Sequence, residues 1–289
     1  MNVNVSRGFA MLARSPRSRW TVFALLPQAA GALASQARSY AHVAAQYAPL
    51  RKDAALFDPA TVSTWLDVRF LDLVECIVRG DEAPFVVTEV APEVYSFPLL
   101  TEAACRALAD EVAQFGASGL EARRPNSMNN YGVVLNDIGL RPSLNALQTL
   151  VQPVAQALFP VEGATLDDHH TFVVSYRPEQ DKGLDMHIDN SDVTLNVCLG
   201  EEFTASGLTF CGTMGAPDHR QVSTCYQHLR GQAVMHLGRR RHGADDITEG
   251  HRINLIMCAG GRLKPPRSFP SGGALQERRW QPTASRPPS

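Results

Sequence analysis

The fold class of this chain is decided by residues 192–199, which read DVTLNVCL. Apolar and polar residues alternate here with a period of two, which is typical of a β-strand whose two faces meet different surroundings. Other short runs rich in apolar and β-branched residues, separated by Gly, Pro, Asp or Glu, occupy residues 170–176, 185–189, 207–211, 222–229, 232–237, 241–247 and 251–259. About eight short strands at this spacing predict a β-sandwich or a small barrel.

Helical patterns dominate the region before this β-rich part. Apolar residues recur at helical spacing in three segments, residues 59–78, 101–116 and 142–158. Thr101 is a suitable N-cap for the second of them. Two short strands are predicted between the helices, at residues 90–97 and 131–135. We therefore predict an α+β fold, mainly β, in which the early helices pack on one sheet.

Composition excludes several classes of protein. The chain has 289 residues with 27 basic and 29 acidic side chains, so its formal charge of −2 provides no overall field for nucleic acid. No apolar stretch reaches the roughly 20 residues that a membrane span needs. The six cysteines contain no C-x-x-C pair, so neither a zinc ribbon nor a disulfide framework is indicated.

The two ends of the sequence differ from its middle. Residues 1–52 are basic and rich in Ser and Ala, and the first acidic residue is Asp53. An organelle transit peptide, a secretory signal and an alanine-rich surface helix all fit this composition, so the location stays open between cytoplasmic and organellar or secretory. We expect a helical extension at residues 53–90, the main domain at residues 91–260, and a disordered tail at residues 261–289, where Pro, Gly, Ser and Arg dominate.

The residues that indicate chemistry begin with His187 and Asp189. Two positions apart on a strand, they point to one side, and an imidazole with a carboxylate suits a divalent metal, although His-x-Asp alone is common by chance. His242 follows 55 residues later, and Arg252 lies ten residues beyond it within an apolar strand. Two histidines and one carboxylate form the facial triad of non-haem iron(II) oxygenases. Because a buried guanidinium is costly unless paired, a ligand carboxylate is a natural partner for Arg252. His236 is the competing third ligand, but only His242 has an arginine at this distance.

The joint pattern resembles the 2-oxoglutarate-dependent iron(II) dioxygenases. Residues 172–176 and 192–200 around the first ligand pair are similar to the prolyl and lysyl hydroxylase branch. Residues 124–133, 199–208 and 237–238 are similar to a narrower family, the 2-oxoglutarate- and iron-dependent oxygenase domain-containing proteins of the second type. The resemblance covers about residues 90–260.

The resemblance implies a double-stranded β-helix, the jelly-roll or cupin-like core, and a set of roles. His187, Asp189 and His242 would hold Fe(II), and Arg252 would bind the far carboxylate of the co-substrate 2-oxoglutarate. Tyr176 is a candidate co-substrate contact, the alternative being an ordinary core tyrosine with its hydroxyl at the surface. Thr194 and Asn196 share a strand face and either line the cofactor cavity or satisfy local backbone groups. L-ascorbate is a further candidate cofactor.

The Asn-rich residues 126–131 and the basic residues 239–241 have two readings each. The first segment either faces the substrate or forms an ordinary turn that enters a strand. The second is most simply a solvated turn, with a basic rim for an acidic substrate as the alternative. His251, beside Arg252, is expected to point to the opposite face of its strand.

The implied activity is hydroxylation of a carbon atom of an unidentified substrate, with a protein or peptide side chain as the candidate, and release of succinate and CO2. Two other hypotheses stay open. The first is a catalytically silent jelly roll that acts as a binding module. The second is a zinc-dependent cupin-like enzyme, which would use the same ligands but would leave Arg252 without a task. The sequence does not indicate an oligomeric state.

Overall fold

The computed structural model describes residues 41–81, 86–200, 202–217 and 219–260. The predicted disordered tail and the first 40 residues of the predicted targeting segment lie outside these ranges. Among the helices within them, none is both long enough and apolar enough to span a membrane.

Two antiparallel sheets form the core. The strands are β1 (Thr88–Ala91), β2 (Val94–Pro98), β3 (Gly132–Val134), β4 (Asp168–Tyr176), β5 (Leu184–His187), β6 (Val193–Gly200), β7 (Phe203–Ala205), β8 (Leu208–Thr213), β9 (Val222–Tyr226), β10 (Gln232–Leu237), β11 (Arg240–Ala244), β12 (Ile247–Gly250) and β13 (Arg252–Gly260). Strands β7 and β12 pair with each other outside the two sheets. The large sheet has the order β1-β2-β10-β6-β13-β4-β3, and the small sheet has the order β5-β11-β8-β9. The predicted mainly-β fold with a jelly-roll core is confirmed.

The predicted strand at residues 90–97 is wrong in one respect, because it is a hairpin. Strands β1 and β2 pair with each other, and Pro92 and Glu93 form the turn between them, with Glu93 at a φ of 57°. An apolar run on both sides of a two-residue turn looks continuous in sequence. The short strands β7 and β12 were also not predicted, because each has only three or four residues.

Three α-helices pack on the outer face of the large sheet, as predicted. They are α1 (Val68–Arg79), α2 (Glu102–Ala117) and α3 (Arg141–Leu158). The Thr101 side chain accepts a hydrogen bond from the Ala104 amide and so caps α2. The predicted helix at residues 59–78 divides in two, because Asp67 leaves the helical conformation and caps α1, while a 3-10 helix covers Pro59–Trp65.

Residues 41–52 belong to the folded part of the chain, which corrects their assignment to a targeting or disordered segment. Val43 and Tyr47 are buried in the core that also holds the three helices. The Tyr47 hydroxyl donates to the buried Glu111 carboxylate at 2.6 Å, and the Lys52 and Asp53 amides donate to the same carboxylate. Two core residues in an alanine-rich segment give too weak a pattern for sequence analysis to detect.

The core of the helical region is continuous with that of the large sheet. Phe70 of α1 and Leu108 of α2 share one apolar cluster with Leu195 of β6 and Leu255 of β13. The opposite face of the large sheet meets the small sheet in a second cluster that includes Val174, Phe210 and Val234. Alternation along β6 therefore directs Leu195 toward the helices and its neighbours Thr194 and Asn196 toward the space between the sheets.

Candidate active site

Strands β5 and β11 bring His187 and His242 together. The two strands are antiparallel neighbours, and these residues stand directly opposite each other in the register. Opposite residues of an antiparallel pair project from the same face, and the two imidazole ring centroids are 4.3 Å apart. The chain leaves β5 immediately after His187, and the Asp189 amide donates to the Gly238 carbonyl at 2.8 Å. This contact holds the Asp189 carboxylate beside both rings.

The three predicted ligands converge on one point. The Nε2 atom of His187 lies 3.5 Å from Oδ1 of Asp189, and the Nε2 atom of His242 lies 3.6 Å from Oδ2. One ligand atom from each residue lies within 4.8 Å of the other two. Bonds of about 2.0–2.2 Å from a first-row divalent metal to each atom fit this spacing. The donor set therefore fits the implied iron(II) ion.

Backbone carbonyls fix the direction of both imidazoles. Nδ1 of His187 lies 2.8 Å from the Asp185 carbonyl oxygen, and Nδ1 of His242 lies 2.9 Å from the Arg240 carbonyl oxygen. Because a carbonyl oxygen only accepts hydrogen bonds, each Nδ1 donates its proton. In the neutral rings the lone pair is then on Nε2, which faces Asp189. This is the tautomer that a metal ligand needs.

Burial and the neighbouring charges favour the metal-binding protonation states at Asp189 and His242. Burial alone would raise the pKa of the Asp189 carboxyl, but the adjacent His242 and His187 outweigh it and hold that pKa well below its usual value. Burial lowers the pKa of His242 to about 3, so this ring is neutral at pH 7. Burial also disfavours the charged form of His187, but the Asp189 carboxylate raises the pKa of His187 overall. A bound dication would replace that proton.

Thr194 supports the carboxylate ligand. Its hydroxyl donates to Oδ2 of Asp189 at 2.7 Å and lies 2.8 Å from the Ser191 hydroxyl. Sequence analysis proposed a cofactor contact for Thr194, and the structure places it in the lining of the same pocket. Its hydrogen bond orients the carboxylate of Asp189, a candidate metal ligand, and a direct contact of Thr194 with 2-oxoglutarate stays a prediction.

A single pocket joins the three ligands to Arg252, Tyr176 and Asn196. It contains about 450 Å³ of empty space, including its mouth. Its apolar walls come from both sheets and include Phe172, Val174, Leu184, Leu208 and Ile256. All seven residues named from the sequence as site residues therefore line one pocket between the sheets, although the roles of Tyr176, Asn196 and Thr194 stay predictions.

Arg252 is fully buried and keeps donors for a ligand. Its Nε donates to Oδ1 of Asn254 at 2.9 Å, and its Nη1 donates to the carbonyl and hydroxyl oxygens of Ser206. Its Nη2 has no hydrogen-bond partner among the described residues. Burial lowers the pKa of Arg252, which reflects the cost of holding its charge in the interior. A carboxylate bound at Nη2 would give this atom a hydrogen-bond partner and would offset the cost of the buried charge.

Tyr176 is opposite Arg252 in the pairing of β4 with β13. The Arg252 guanidinium carbon lies 5.8 Å from the centroid of the Tyr176 ring. The Tyr176 hydroxyl accepts a hydrogen bond from the Asn129 amide at 3.4 Å. This hydroxyl lies in the interior, so the alternative of an ordinary tyrosine with its hydroxyl at the surface is wrong.

The two interpretations of the Asn-rich segment, a face toward the substrate and an ordinary turn, apply to different residues of it. Asn126 and Asn129 line the pocket, and the Asn126 amide donates to the Asn129 side chain at 2.9 Å. Asn130 and Tyr131 instead bind the Asp181 carboxylate, through the Asn130 side chain and both backbone amides. The first pair is placed to meet a ligand, whereas the second pair fastens the loop.

The competing histidine, His236, lies next to His242 but outside the triad. Their ring centroids are 4.4 Å apart, and the Nδ1 atom of His236 lies 2.9 Å from the Leu237 carbonyl oxygen. The metal cluster within the described chain contains His242 and not His236. His251 contacts Ser175 and Arg177 away from the pocket lining, as expected.

The solvated-turn reading of residues 239–241 is wrong for Arg240, whereas Arg239 lies in the turn before β11 and its side chain is 37% exposed. Arg239 pairs with Glu162 at 2.7 Å, and Arg240 is buried, with its Nη1 3.3 Å from the Thr213 hydroxyl. The physical reason is that β11 begins at Arg240, so this side chain enters the small sheet rather than a loop.

Sequence analysis missed Asn254 and His228, which are buried beside Arg252. The signal for Asn254 was available, because a residue two positions after Arg252 on a strand shares its face. His228 had no such signal, since its proximity depends on how β9 and the following loop return to the large sheet.

The fold and the donor set agree with the expected resemblance to 2-oxoglutarate- and iron-dependent oxygenases, and so does comparison with known proteins. Residues 43–164 match the family model of the OGFOD2-like domain. The family resemblance predicted from the sequence is therefore confirmed, and the match begins within the segment that sequence analysis had set apart.

Curated relatives carry the same class in their names. The 2-oxoglutarate and iron-dependent oxygenase domain-containing protein CP2 of Arabidopsis thaliana is 41% identical over 184 residues, which cover 60% of this chain and 46% of the relative. The 2-oxoglutarate and iron-dependent oxygenase domain-containing protein 2 of Homo sapiens is 41% identical over 167 residues, 57% of this chain and 48% of the relative. The human multifunctional procollagen lysine hydroxylase and glycosyltransferase LH3 is 32% identical over 189 residues, 63% of this chain and 25% of the relative. The chain thus matches about half the length of the first two relatives and a quarter of the third.

Proposed function

We propose that this chain is a 2-oxoglutarate- and O2-dependent iron(II) oxygenase that hydroxylates a carbon atom of its substrate. One observation carries the proposal. A pocket that presents two imidazoles and a carboxylate around one point also contains a buried guanidinium with an uncommitted Nη2. A metal alone explains the first group, and only an anionic ligand gives the second a function.

The proposed cofactor positions follow from the side chains. His187, Asp189 and His242 would hold iron(II), and three protein ligands leave coordination positions for other molecules. Arg252 would bind the carboxylate of 2-oxoglutarate that does not contact the metal. When bound, iron(II) supplies the oxygen chemistry that converts 2-oxoglutarate to succinate and CO2 and hydroxylates the substrate.

The chain's own residues provide orientation and a pocket shielded from water. Thr194 holds the Asp189 carboxylate in place, while the Asp185 and Arg240 carbonyls hold the two imidazoles. Apolar side chains from both sheets line part of the pocket that contains the metal ligands and Arg252, so a bound diacid would displace water from around Arg252. Removing water strengthens the electrostatic contact with the guanidinium.

For the substrate we propose a protein or peptide side chain. The support is the activity in the name of the lysine hydroxylase relative, together with a pocket whose lining includes the amide side chains of Asn126 and Asn129. Amide side chains can both donate to and accept from a peptide backbone. Ascorbate stays a prediction from the resemblance.

The test is an anaerobic reconstitution with iron(II) and 2-oxoglutarate, followed by admission of O2 and measurement of succinate. We expect succinate without any added substrate at a slow rate, and a faster rate with a peptide library as the added substrate. His187→Ala should abolish both. Binding of 2-oxoglutarate without succinate would support the silent binding module instead, and activity with zinc but not with iron would support the zinc enzyme.

A further inference from the structure

A buried polar network contacts Arg252 at Nε, and two of its members, Asn254 and Asn196, line the same pocket as Arg252. Asn254 is its centre, because its Oδ1 accepts from Nε of Arg252 at 2.9 Å and its Nδ2 donates to Oδ1 of Asn196 at 2.6 Å. The same Nδ2 lies 3.1 Å from Nδ1 of His228. All four side chains are at most 5% exposed, so water cannot easily replace these contacts.

Chemistry fixes the direction of every hydrogen bond in this network. Nε2 of His228 lies 2.9 Å from the Gln232 carbonyl oxygen, which can only accept, so Nε2 carries the proton. Burial lowers the pKa of His228 to about 3, so the ring is neutral at pH 7 and Nδ1 is an acceptor. The Asn254 amide group must therefore point its Nδ2 toward His228, and its Oδ1 is left for Arg252.

The opposite orientation of Asn254 is excluded by its neighbours. A flipped side chain would place Nδ2 against the N–H of Arg252 and Oδ1 against two acceptors, the His228 nitrogen and the Asn196 oxygen. Each of these pairs would leave buried polar groups unsatisfied. The guanidinium plane is thus held at two points, by Asn254 on Nε and by Ser206 on Nη1. With both of these atoms bound, Nη2 is the donor left for a ligand.

We propose that Asn254 is a positioning residue for the diacid subsite, which acts through Arg252 and is itself oriented by His228 and Asn196. This inference rests on the proposed function, because it assigns Asn254 to recognition of the far carboxylate of 2-oxoglutarate. It makes a specific demand on the chain. Loss of Asn254 must impair binding of a diacid more than binding of a 2-oxo acid that lacks the second carboxylate.

The experiment is a calorimetric titration of the anaerobic iron(II)-loaded full chain with 2-oxoglutarate and, separately, with 2-oxobutanoate. We expect Asn254→Leu, which keeps the volume, to weaken 2-oxoglutarate binding by about tenfold, the scale of one hydrogen bond to a charged group. Binding of 2-oxobutanoate should stay unchanged, because it does not reach Arg252. Asn254→Ser, whose hydroxyl is too short to reach Nε, should behave in the same way and serves if the leucine variant does not fold.

Thr171→Val provides the matched control. Thr171 is a fully buried residue of the same sheet whose hydroxyl lies 2.7 Å from Nδ1 of His169, away from the pocket lining. Its variant also loses one buried hydrogen bond and should bind both acids normally. Equal losses of affinity for the two acids in the Asn254 variants, or no loss at all, would overturn the positioning role. The proposed function would still stand in that case, provided that the wild type binds 2-oxoglutarate. Failure of the wild type to bind 2-oxoglutarate would overturn both.

Discussion

The two ends of the pocket are built on different parts of the fold. The metal end, which consists of His187, Asp189 and His242, is built on β5, the turn that follows it, and β11. These two strands of the small sheet have only four and five residues. The Arg252 end lies on β13 of the large sheet, a nine-residue strand that pairs along its length with β4 and β6. The side chain of Arg252 is fully buried, whereas those of His187 and Asp189 are 16% and 12% exposed.

The two ends also differ in charge. Asp189 and two imidazoles form an end that suits a cation, and the Arg252 guanidinium with its unpartnered Nη2 forms an end that suits an anion. The less buried end suits a metal that must exchange its other ligands, whereas the fully buried end suits a carboxylate held away from water. One diacid that chelates the metal would therefore satisfy both ends together, and variants at each end should separate their contributions.

The largest effect is expected at the metal end. His187→Ala removes one of three ligands, and we expect iron(II) affinity to fall by more than ~100-fold, because loss of even an outer-shell partner costs roughly 10–100-fold. Succinate formation should disappear with it. Equilibrium dialysis with iron(II) measures the first effect. His219→Ala, which changes a histidine bound to the Ala216 carbonyl away from the pocket lining, is the control and should bind iron normally.

The second effect belongs to the Arg252 end. Arg252→Ala should weaken 2-oxoglutarate binding by roughly 1.5–3 kcal/mol, the scale of a hydrogen bond to a charged group, and should leave iron(II) affinity unchanged. Calorimetry under anaerobic conditions measures both. Arg106→Ala, at an exposed arginine of α2, is the control. An unaltered affinity for 2-oxoglutarate in Arg252→Ala would show that the guanidinium has another role.

A smaller effect is expected from the support of Asp189. Thr194→Val removes the hydroxyl that donates to the carboxylate ligand, and we expect iron(II) affinity to fall by roughly tenfold, at the lower end of outer-shell effects. Thr209→Val is a closely matched control, because the Thr209 hydroxyl donates to Asp245 at 2.8 Å and neither residue is a metal ligand. If the two variants bind iron equally well, Thr194 has no role in positioning Asp189.

The last effect concerns the pH dependence of stability at the Arg252 end. His228 has a pKa of about 3 in the folded chain, and the usual value is about 6.5. Between these values the unfolded chain binds a proton that the folded chain does not, so the free energy of unfolding decreases as pH falls from about 6.5 toward about 3. One proton contributes a slope of up to about 1.4 kcal/mol per pH unit. In urea unfolding of the metal-free protein, His228→Leu should reduce the pH slope of the free energy of unfolding by the contribution of one proton. An unchanged slope would mean that His228 is protonated in the fold.

Period-two patterns allowed much of the site to be predicted from the sequence. Alternation through residues 192–199 correctly separated Leu195, which packs under the helices, from Thr194 and Asn196, which line the pocket. The same period placed His187 and Asp189 together. The position of Arg252 within an apolar strand indicated a candidate ligand contact, because a charge in the interior is costly unless it is paired.

The features that were missed depend on contacts between distant segments. The Thr194–Asp189 hydrogen bond depends on how the chain turns after β5, and the contact of His228 with Asn254 depends on how the loop after β9 returns to the large sheet. Tyr47 lies in the core because Glu111, 64 residues away, receives its hydroxyl. None of these distances is a local property of the sequence.

The most direct test of the central claim is one anaerobic titration of 2-oxoglutarate into the chain with and without iron(II). The account predicts one binding site per chain, weakened both by omission of the metal and by Arg252→Ala, because the diacid contacts both ends of the pocket. Binding that is indifferent to iron, or no binding to the iron-loaded chain, would contradict it.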